Sequence, residues 1–189
     1  MQRIENQVER LGKLITDILD ISRLEDGKLD LEKESFQLDE LLKETVQDML
    51  FAVSTHSIII KDSFPCIVYA DKNRIGQVLI NLINNAIKYS PDKNKVEISL
   101  YSSQEGYASV SIKDYGIGIE DEEQHKIFQR FYQAGSQQNK HYTGFGIGLY
   151  ISSEIIQRHG GQISVSSNKN EGASFTITIP LLNKQTTNE

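Results

Sequence analysis

The stretch Asp71–Pro91, DKNRIGQVLINLINNAIKYSP, carries two patterns at two helical angles. Ile75, Val78, Leu79, Leu82, Ala86 and Ile87 recur at the three-and-four spacing of a helix that buries one face against a sheet. Gln77, Asn81, Asn85 and Lys88 recur at the same spacing on another stripe, so one helix edge presents amides and an ammonium together. Asn is a mediocre helix former that competes for backbone hydrogen bonds, so two of them one turn apart call for a reason. Two readings are open at this point. In one, an amide oxygen is offered to a hard cation and Lys88 supplies a point charge for phosphate. In the other, the helix surface is simply rich in Asn and Lys.

The flanks fix the class of protein. A hydrophobic fraction of 38% with 24% charged residues belongs to a soluble globular chain, and 189 residues suffice for one domain plus an appendage. A net charge of -6 without a basic run argues against a nucleic-acid surface, while a small anionic ligand needs only a local positive site. Cys66, alone in the apolar run CIVYA, reads as a buried structural thiol of a reducing compartment. No apolar run approaches the roughly 20 residues needed to cross a bilayer and no signal peptide opens the chain, so the expectation is a cytosolic segment.

Upstream, Ile4, Val8, Leu11, Ile15 and Ile18 alternate spacings of four and three, widened by Leu14 and Ile21. A seam of that kind expects partner helices, with packing on its own domain as the alternative. Glu25–Lys28 breaks the pattern, and an extended linker runs to about Phe36. A second helix begins at Leu38-Asp39-Glu40 with Asp39 as N-cap. Ser57–Lys61 and Cys66–Ala70 read as two strands around a turn. Asp71 caps the opening helix, and Ser90-Pro91 closes it.

Downstream, Lys95–Ser102 and Ala108–Lys113 alternate as a hairpin turned at Glu105-Gly106. Asp114-Tyr115-Gly116-Ile117-Gly118-Ile119 follows at a strand end, then a short charged helix from Glu120 to Ile127 and an aromatic knot of Phe128, Phe131 and Tyr132. The polar stretch Gln133–His141 reads as a mobile loop. Thr143-Gly144-Phe145-Gly146-Ile147-Gly148-Leu149 opens a helix to Arg158, ended by His159-Gly160-Gly161. Two strands, Gln162–Ser167 and Ala173–Ile179, complete the chain. Glycine turns at a helix N-terminus can cradle phosphate, although tight chain reversal explains a single such turn equally well.

The order of these pieces resembles the catalytic ATP-binding domain of sensor histidine kinases, in the superfamily shared with gyrase and heat-shock chaperones. The resemblance runs from about Phe36 to Leu181. NLINNAIKYS resembles the family's N box, DYGIGI its first glycine box, FQRFY its F box, TGFGIGL its second glycine box and GASF its last strand entry. It implies an α/β (α+β) two-layer sandwich, a mixed, mainly antiparallel sheet against three helices, over residues 34–189. Residues 1–33 then resemble the second helix of a dimerisation hairpin plus its linker, a homodimer contact.

Carried over by position, the magnesium ligand (Mg2+) falls on Asn85, with Asn81 one turn earlier on the phosphate side. Lys88 and Tyr89 would contact the phosphates and nucleotide. Asp114 would read adenine, with Gly116 and Gly118 letting the backbone approach the base. Gly144, Gly146, Ile147, Gly148 and Leu149 would line the phosphates under a lid of residues 132–146, and Ser174 would keep a hydroxyl near Asp114. Asn81, Lys88 and Arg130 are the candidates for catalysis.

The chain departs from the pattern at Tyr115, often a smaller polar residue in the family, and at Gln133, often basic; Arg130 is a candidate substitute. None of His56, His125, His141 and His159 precedes an acidic residue, as the family's phosphoacceptor does. They share no metal-ligand spacing and read as structural or solvated. The implied activity is transfer of the ATP gamma-phosphoryl group to a histidine absent from this chain, for relay to the receiver domain of a response regulator. The alternative is a nucleotide-binding or pseudo-kinase module that dimerises through its first helix. Hydrolysis is disfavoured, because Asn81 stands where hydrolysing relatives place a general-base glutamate.

Overall fold

The computed structural model describes residues 11–24 except 13, 17 and 23, residues 30–134 except 54 and 105, and residues 145–182. The chain divides into two compact units, Met1–Leu31 and Glu32–Glu189. In the first, the described residues of 11–24 are helical (α1), and Leu11, Ile15 and Ile18 stay exposed, each by more than half. Ile4 and Val8, at the start of the expected seam, lie outside the described residues.

The second unit runs β1 (Glu34–Gln37), α2 (Leu38–Ala52), β2 (Ser57–Asp62), β3 (Ile67–Ala70), α3 (Lys72–Tyr89), β4 (Lys95–Gln104), β5 (Tyr107–Asp114), α4 (Asp121–Gln124), α5 (Gly148–Arg158), β6 (Gln162–Asn168) and β7 (Gly172–Pro180). A five-stranded sheet has the order β2-β4-β5-β7-β6, antiparallel except for the parallel β2–β4 pair, and β1 pairs with β3 in a separate ribbon. Alternation along the strands decides the faces. Val96, Ile98 and Leu100 of β4, Val110 and Ile112 of β5, and Phe175, Ile177 and Ile179 of β7 turn inward and are buried. Against them pack the apolar stripe of α3, from Ile75 to Ala86, and Ile151, Ile155 and Ile156 of α5. Two layers, sheet and helices, enclose one core as the periodicities predict.

Three expectations are corrected. β2 and β3 do not form a hairpin: β3 pairs with β1 and β2 with β4. Asp39 is not an N-cap, since α2 starts at Leu38 behind Gln37, and the Asp39 carboxylate instead accepts from the Cys66 amide and from Lys43. The charged helix after the first glycine turn is one short turn, Asp121–Gln124. Among the described residues no helix is long and apolar enough to cross a membrane.

Asp71 does cap α3, its Oδ1 accepting from the Arg74 amide at 3.0 Å. Its Oδ2 accepts from the Glu32 amide at 3.0 Å, and its own amide donates to His159 Nε2 at 2.9 Å. An amide N–H can only donate, so Nε2 is unprotonated, and Nδ1–H donates to the Ile155 carbonyl at 2.7 Å. His159 thus joins the end of α5 to the start of α3, and burial lowers its pKa below 6.5. A lowered folded-state pKa means the unfolded chain binds the proton more readily. The contribution is therefore full above pH 6.5 and lost as pH falls through the lower folded value. Thermal unfolding is expected at a lower temperature at pH 5.5 than at pH 7.5, with a smaller difference in His159→Gln. An equal pH difference in the parent chain and in His159→Gln would refute the contribution of a neutral, buried His159.

Of the other histidines, His56 is buried between Thr55 and the Ser90 carbonyl, His125 is exposed, and His141 lies outside the described residues. Burial pushes the Cys66 thiol up to about 11, which suits an inert structural residue.

Candidate functional site

The C-terminal half of α3, the end of β5 and the start of α5 meet at one end of the helix layer. Asp114, the last residue of β5, continues the inward row of Val110 and Ile112 and is only 3% exposed. Its Oδ1 accepts from the Gly116 amide at 2.8 Å and the Ala173 amide at 3.2 Å. Among the described residues nothing donates to Oδ2. Burial raises the Asp114 pKa, and the two amide bonds oppose that shift without cancelling it. A buried carboxylate with one oxygen bonded and one open is an acceptor waiting for a donor.

The turn after Asp114 is stitched to both neighbours. The Ile117 amide donates to the Tyr89 carbonyl at the end of α3, and the Ile117 carbonyl accepts from the Asn170 amide of the β6–β7 turn. A Cβ on Gly116 would lie 1.9 Å from the Tyr89 oxygen, and one on Gly118 would lie 2.0 Å from the Asn168 oxygen. These two glycines are required by chain-on-chain approach, a reason additional to any ligand.

The polar stripe of α3 is not uniform. Gln77 accepts from Arg74 at 2.9 Å. Asn81 Nδ2 donates to the buried Ser152 hydroxyl of α5 at 3.0 Å. Asn85 is half-buried and receives no hydrogen bond from the described residues. Lys88 Nζ donates to the Tyr89 hydroxyl at 2.9 Å and lies 4.5 Å from the centre of that ring. The amide of Asn85 and this ammonium–phenol pair therefore lie one helical turn apart on one edge.

The segments that flank the expected lid meet at a neck. The Phe131 amide donates to the Gly146 carbonyl at 2.8 Å, and Phe131 has φ 64°, strained for an aromatic residue. A Cβ on Gly146, itself at φ 67°, would lie 2.5 Å from the Tyr132 oxygen. Phe128 anchors the neck edge-on against Phe175, while the exposed Arg130 guanidinium lies 4.6 Å from the Phe131 ring centre. Ile147 is 3% exposed and belongs to the core, so only its backbone faces the start of α5; Leu149 is half-buried. Gly144 and most of the expected lid lie outside the described residues.

Ser174 is corrected. It pairs with Lys113 on the outward row, and its hydroxyl bonds Ser111 at 2.9 Å on the face away from Asp114. The contact to Asp114 comes instead from the Ala173 amide. Tyr115 also points outward, its hydroxyl donating to Glu97 at 2.6 Å between Lys95 and Lys113, so its departure from the family pattern falls on the face away from Asp114. Ser152 was missed by the sequence reading, although a serine among the isoleucines of α5 is a visible signal.

Among the described residues no three His, Cys, Asp or Glu side chains cluster as a metal cage. Asn85 provides a single oxygen donor. That suits magnesium, which binds readily through one or two protein oxygens, phosphate and water, and does not suit an all-protein site.

The model of histidine kinase-, DNA gyrase B- and HSP90-like ATPases matches residues 70–183. The signal transduction histidine-protein kinase BarA of Escherichia coli is 36% identical over 190 residues, covering 96% of this chain and 20% of that protein. The sensor histidine kinase WalK of Bacillus subtilis is 31% identical over 184 residues, covering 96% of this chain and 30% of that protein. The solved histidine kinase AdeS of Acinetobacter baumannii superposes with a TM-score of 0.77 at 30% identity, covering 96% of this chain and 84% of that one. The chain thus spans less than a third of the length of BarA or WalK. With the matched region enclosing α3, both glycine turns and the closing strands, the chain belongs to the histidine kinase-, DNA gyrase B- and HSP90-like ATPase family.

Proposed function

We infer that this chain is the ATP-binding catalytic part of a two-component sensor histidine kinase, transferring the gamma-phosphoryl group of ATP to a histidine outside this chain. The observation that carries the reading is Asp114, a buried carboxylate with one oxygen held by two amides and the other open. Adenine offers an exocyclic amine there, whereas guanine would bring a carbonyl oxygen against a carboxylate; the mismatch costs about 1 to 3 kcal/mol.

Asn85, with its amide unengaged, would hold magnesium on the phosphates. The ion when bound neutralises phosphate charge. Lys88, paired with Tyr89, adds a fixed cation, and the backbones of Gly144, Gly146, Ile147, Gly148 and Leu149 would offer the start of α5 to anionic oxygens. Arg130, exposed at the lid neck, is the candidate cation for the transferred group. The acceptor imidazole nitrogen uses its own lone pair to form the N–P bond as the bond to ADP breaks. The protein mainly positions charge, and Asn81 in place of a general base fits transfer better than hydrolysis.

Residues 1–33 would be the second helix of the dimerisation hairpin and its linker. The exposed Leu11, Ile15 and Ile18 support a homodimer contact, and a response-regulator receiver domain is the downstream partner. The site would work on the cytosolic side, where ATP is.

Calorimetric titration with a non-hydrolysable ATP analogue, with and without magnesium, tests the reading. Binding that strengthens with magnesium, followed by labelled phosphate on a separately supplied phosphoacceptor hairpin, is the expected result. Absence of binding in both conditions would turn the chain into a pseudo-kinase interaction module.

A further inference from the structure

We propose that Ser167 is a positioning residue for adenine recognition, holding together the two segments whose amides fix the Asp114 carboxylate. The inference deepens the ATP-binding reading above and rests on it. Asp114 Oδ1 accepts from two amides on different parts of the chain, Gly116 in the first glycine turn at 2.8 Å and Ala173 at the start of β7 at 3.2 Å. One oxygen serves both only while turn and strand keep their spacing. The position of Oδ1 in turn decides where the open Oδ2 points, because the two oxygens belong to one planar group.

Ser167 is placed to keep that spacing. It continues the inward row of Ile163 and Val165 in β6, so a hydroxyl stands at the end of an apolar row. Its Oγ accepts from the Ile119 amide at 2.8 Å, three residues after Gly116, and donates to the Gly172 carbonyl at 2.6 Å, one residue before Ala173. The partners fix the direction of both bonds, since a backbone amide can only donate and a carbonyl can only accept. The hydroxyl gives its proton to β7 and a lone pair to the turn, joining them through a single atom. Gly172 reports the same closeness: a Cβ there would lie 2.2 Å from the Asp114 carbonyl oxygen. The Ser167 carbonyl accepts from Gln124 Nε2 at 2.8 Å, which anchors the clasp to α4.

Other bonds keep the fold when this hydroxyl is removed. The Asn170 amide still donates to the Ile117 carbonyl, the Ile117 amide to the Tyr89 carbonyl, and β6 still pairs with β7 as far as Asn168 and Gly172. What is lost is the fixed distance between residues 119 and 172, and with it the aim of Asp114. That loosening reaches the exocyclic amine of the base and leaves the phosphate contacts alone.

Ser167→Ala and Ser167→Thr, each in the full chain, are titrated with ADP and with purine riboside 5′-diphosphate, the same ligand without the exocyclic amine. A hydrogen bond to a charged acceptor gives the parent a preference for ADP of roughly tenfold to a hundredfold. In Ser167→Ala that preference is expected to shrink by about fivefold or more, with the affinity for purine riboside diphosphate unchanged and the backbone amide NMR signals of Gly116 and Ala173 shifted. Ser167→Thr retains the hydroxyl on a side chain suited to a strand and is expected to retain the preference. Ser167→Cys, close to serine in size and only a weak donor, carries the same expectation as alanine and takes its place if Ser167→Ala does not fold.

An unchanged preference in Ser167→Ala overturns the inference. So does an equal loss of affinity for both ligands, or a loss of preference shared by Ser167→Thr, since either marks the serine as structural only. A parent chain that binds both ligands alike overturns the inference together with the adenine-amine contact and leaves nucleotide binding intact. A parent chain that binds neither removes the ATP reading and the inference with it.

Discussion

Asp114→Asn is expected to abolish measurable adenine-nucleotide binding while leaving the fold at least as stable. Asparagine retains an oxygen to accept from the Gly116 and Ala173 amides, so the turn keeps both bonds. At the other position Nδ2 replaces Oδ2, and a donor then faces the donor of the adenine amine. Losing a hydrogen bond to a charged group costs about 1.5 to 3 kcal/mol, and a buried unsatisfied donor about 1 to 3 kcal/mol more. Together they weaken binding by roughly a hundredfold or more. The stability arm has the opposite sign. Burial raises the Asp114 pKa above 3.8, so holding the ionised form at neutral pH works against folding. Asparagine removes that charge. Calorimetry and a thermal melt at pH 7.5 read the two arms separately: undiminished affinity would sink the adenine reading, and a lower melting temperature would sink the account of the buried charge.

Where the amino-acid pattern has a period, the fold was legible. The α3 stripe from Ile75 to Ala86 and the inward rows of β4, β5 and β7 are buried as their spacings imply, because periodicity reports which side chains face inward. It carries no information about which strand is the neighbour. β2 and β3 look like a hairpin because both are β-branched and a proline lies between them. Yet β1, four residues of ESFQ with little alternation, takes β3 as its partner and leaves β2 to pair in parallel with β4.

Side-chain direction near turns was equally hidden. Ser174 and Ala173 differ by one position, and a one-residue difference moves a side chain to the opposite face. The pairing of Lys113 with Ser174 sends the serine hydroxyl outward and leaves the Ala173 amide to reach Asp114. Motif order singled out Asp114, Asn85 and the glycine turns, and the packing of α3 against β5 and α5 brings their segments to one end of the helix layer. Ser152 escaped because its bond to Asn81 joins residues 71 positions apart.

The glycines carry the remaining lesson, and Gly116→Ala puts it to the test with the largest expected loss of stability. A Cβ at residue 116 would stand 1.9 Å from the Tyr89 carbonyl oxygen, 2.6 Å from its carbon and 2.9 Å from the Ser90 Cα. All three atoms are backbone at the end of α3, so no side chain can swing aside. Relief requires moving the turn away from the helix, which breaks the Ile117 amide bond to the same carbonyl and displaces the amide that Gly116 gives Asp114. Clash and lost bonds together place the substitution among the exceptional ones, above about 4 kcal/mol.

Gly76 provides the contrast on the same helix. An added Cβ there meets only Leu41 Cδ1, at 3.8 Å, an ordinary contact, so Gly76→Ala should stabilise by about 0.5 to 1 kcal/mol through helix propensity. Urea unfolding of both variants checks the pair, and a Gly116→Ala protein as stable as the parent would show that the turn is not pinned to α3. If instead it unfolds, its failure to bind nucleotide says nothing about ligand contact at Gly116. Asp114→Asn, expected to keep its fold, then tests the ligand contact, and the first glycine turn is the joint that holds a buried carboxylate against the end of α3.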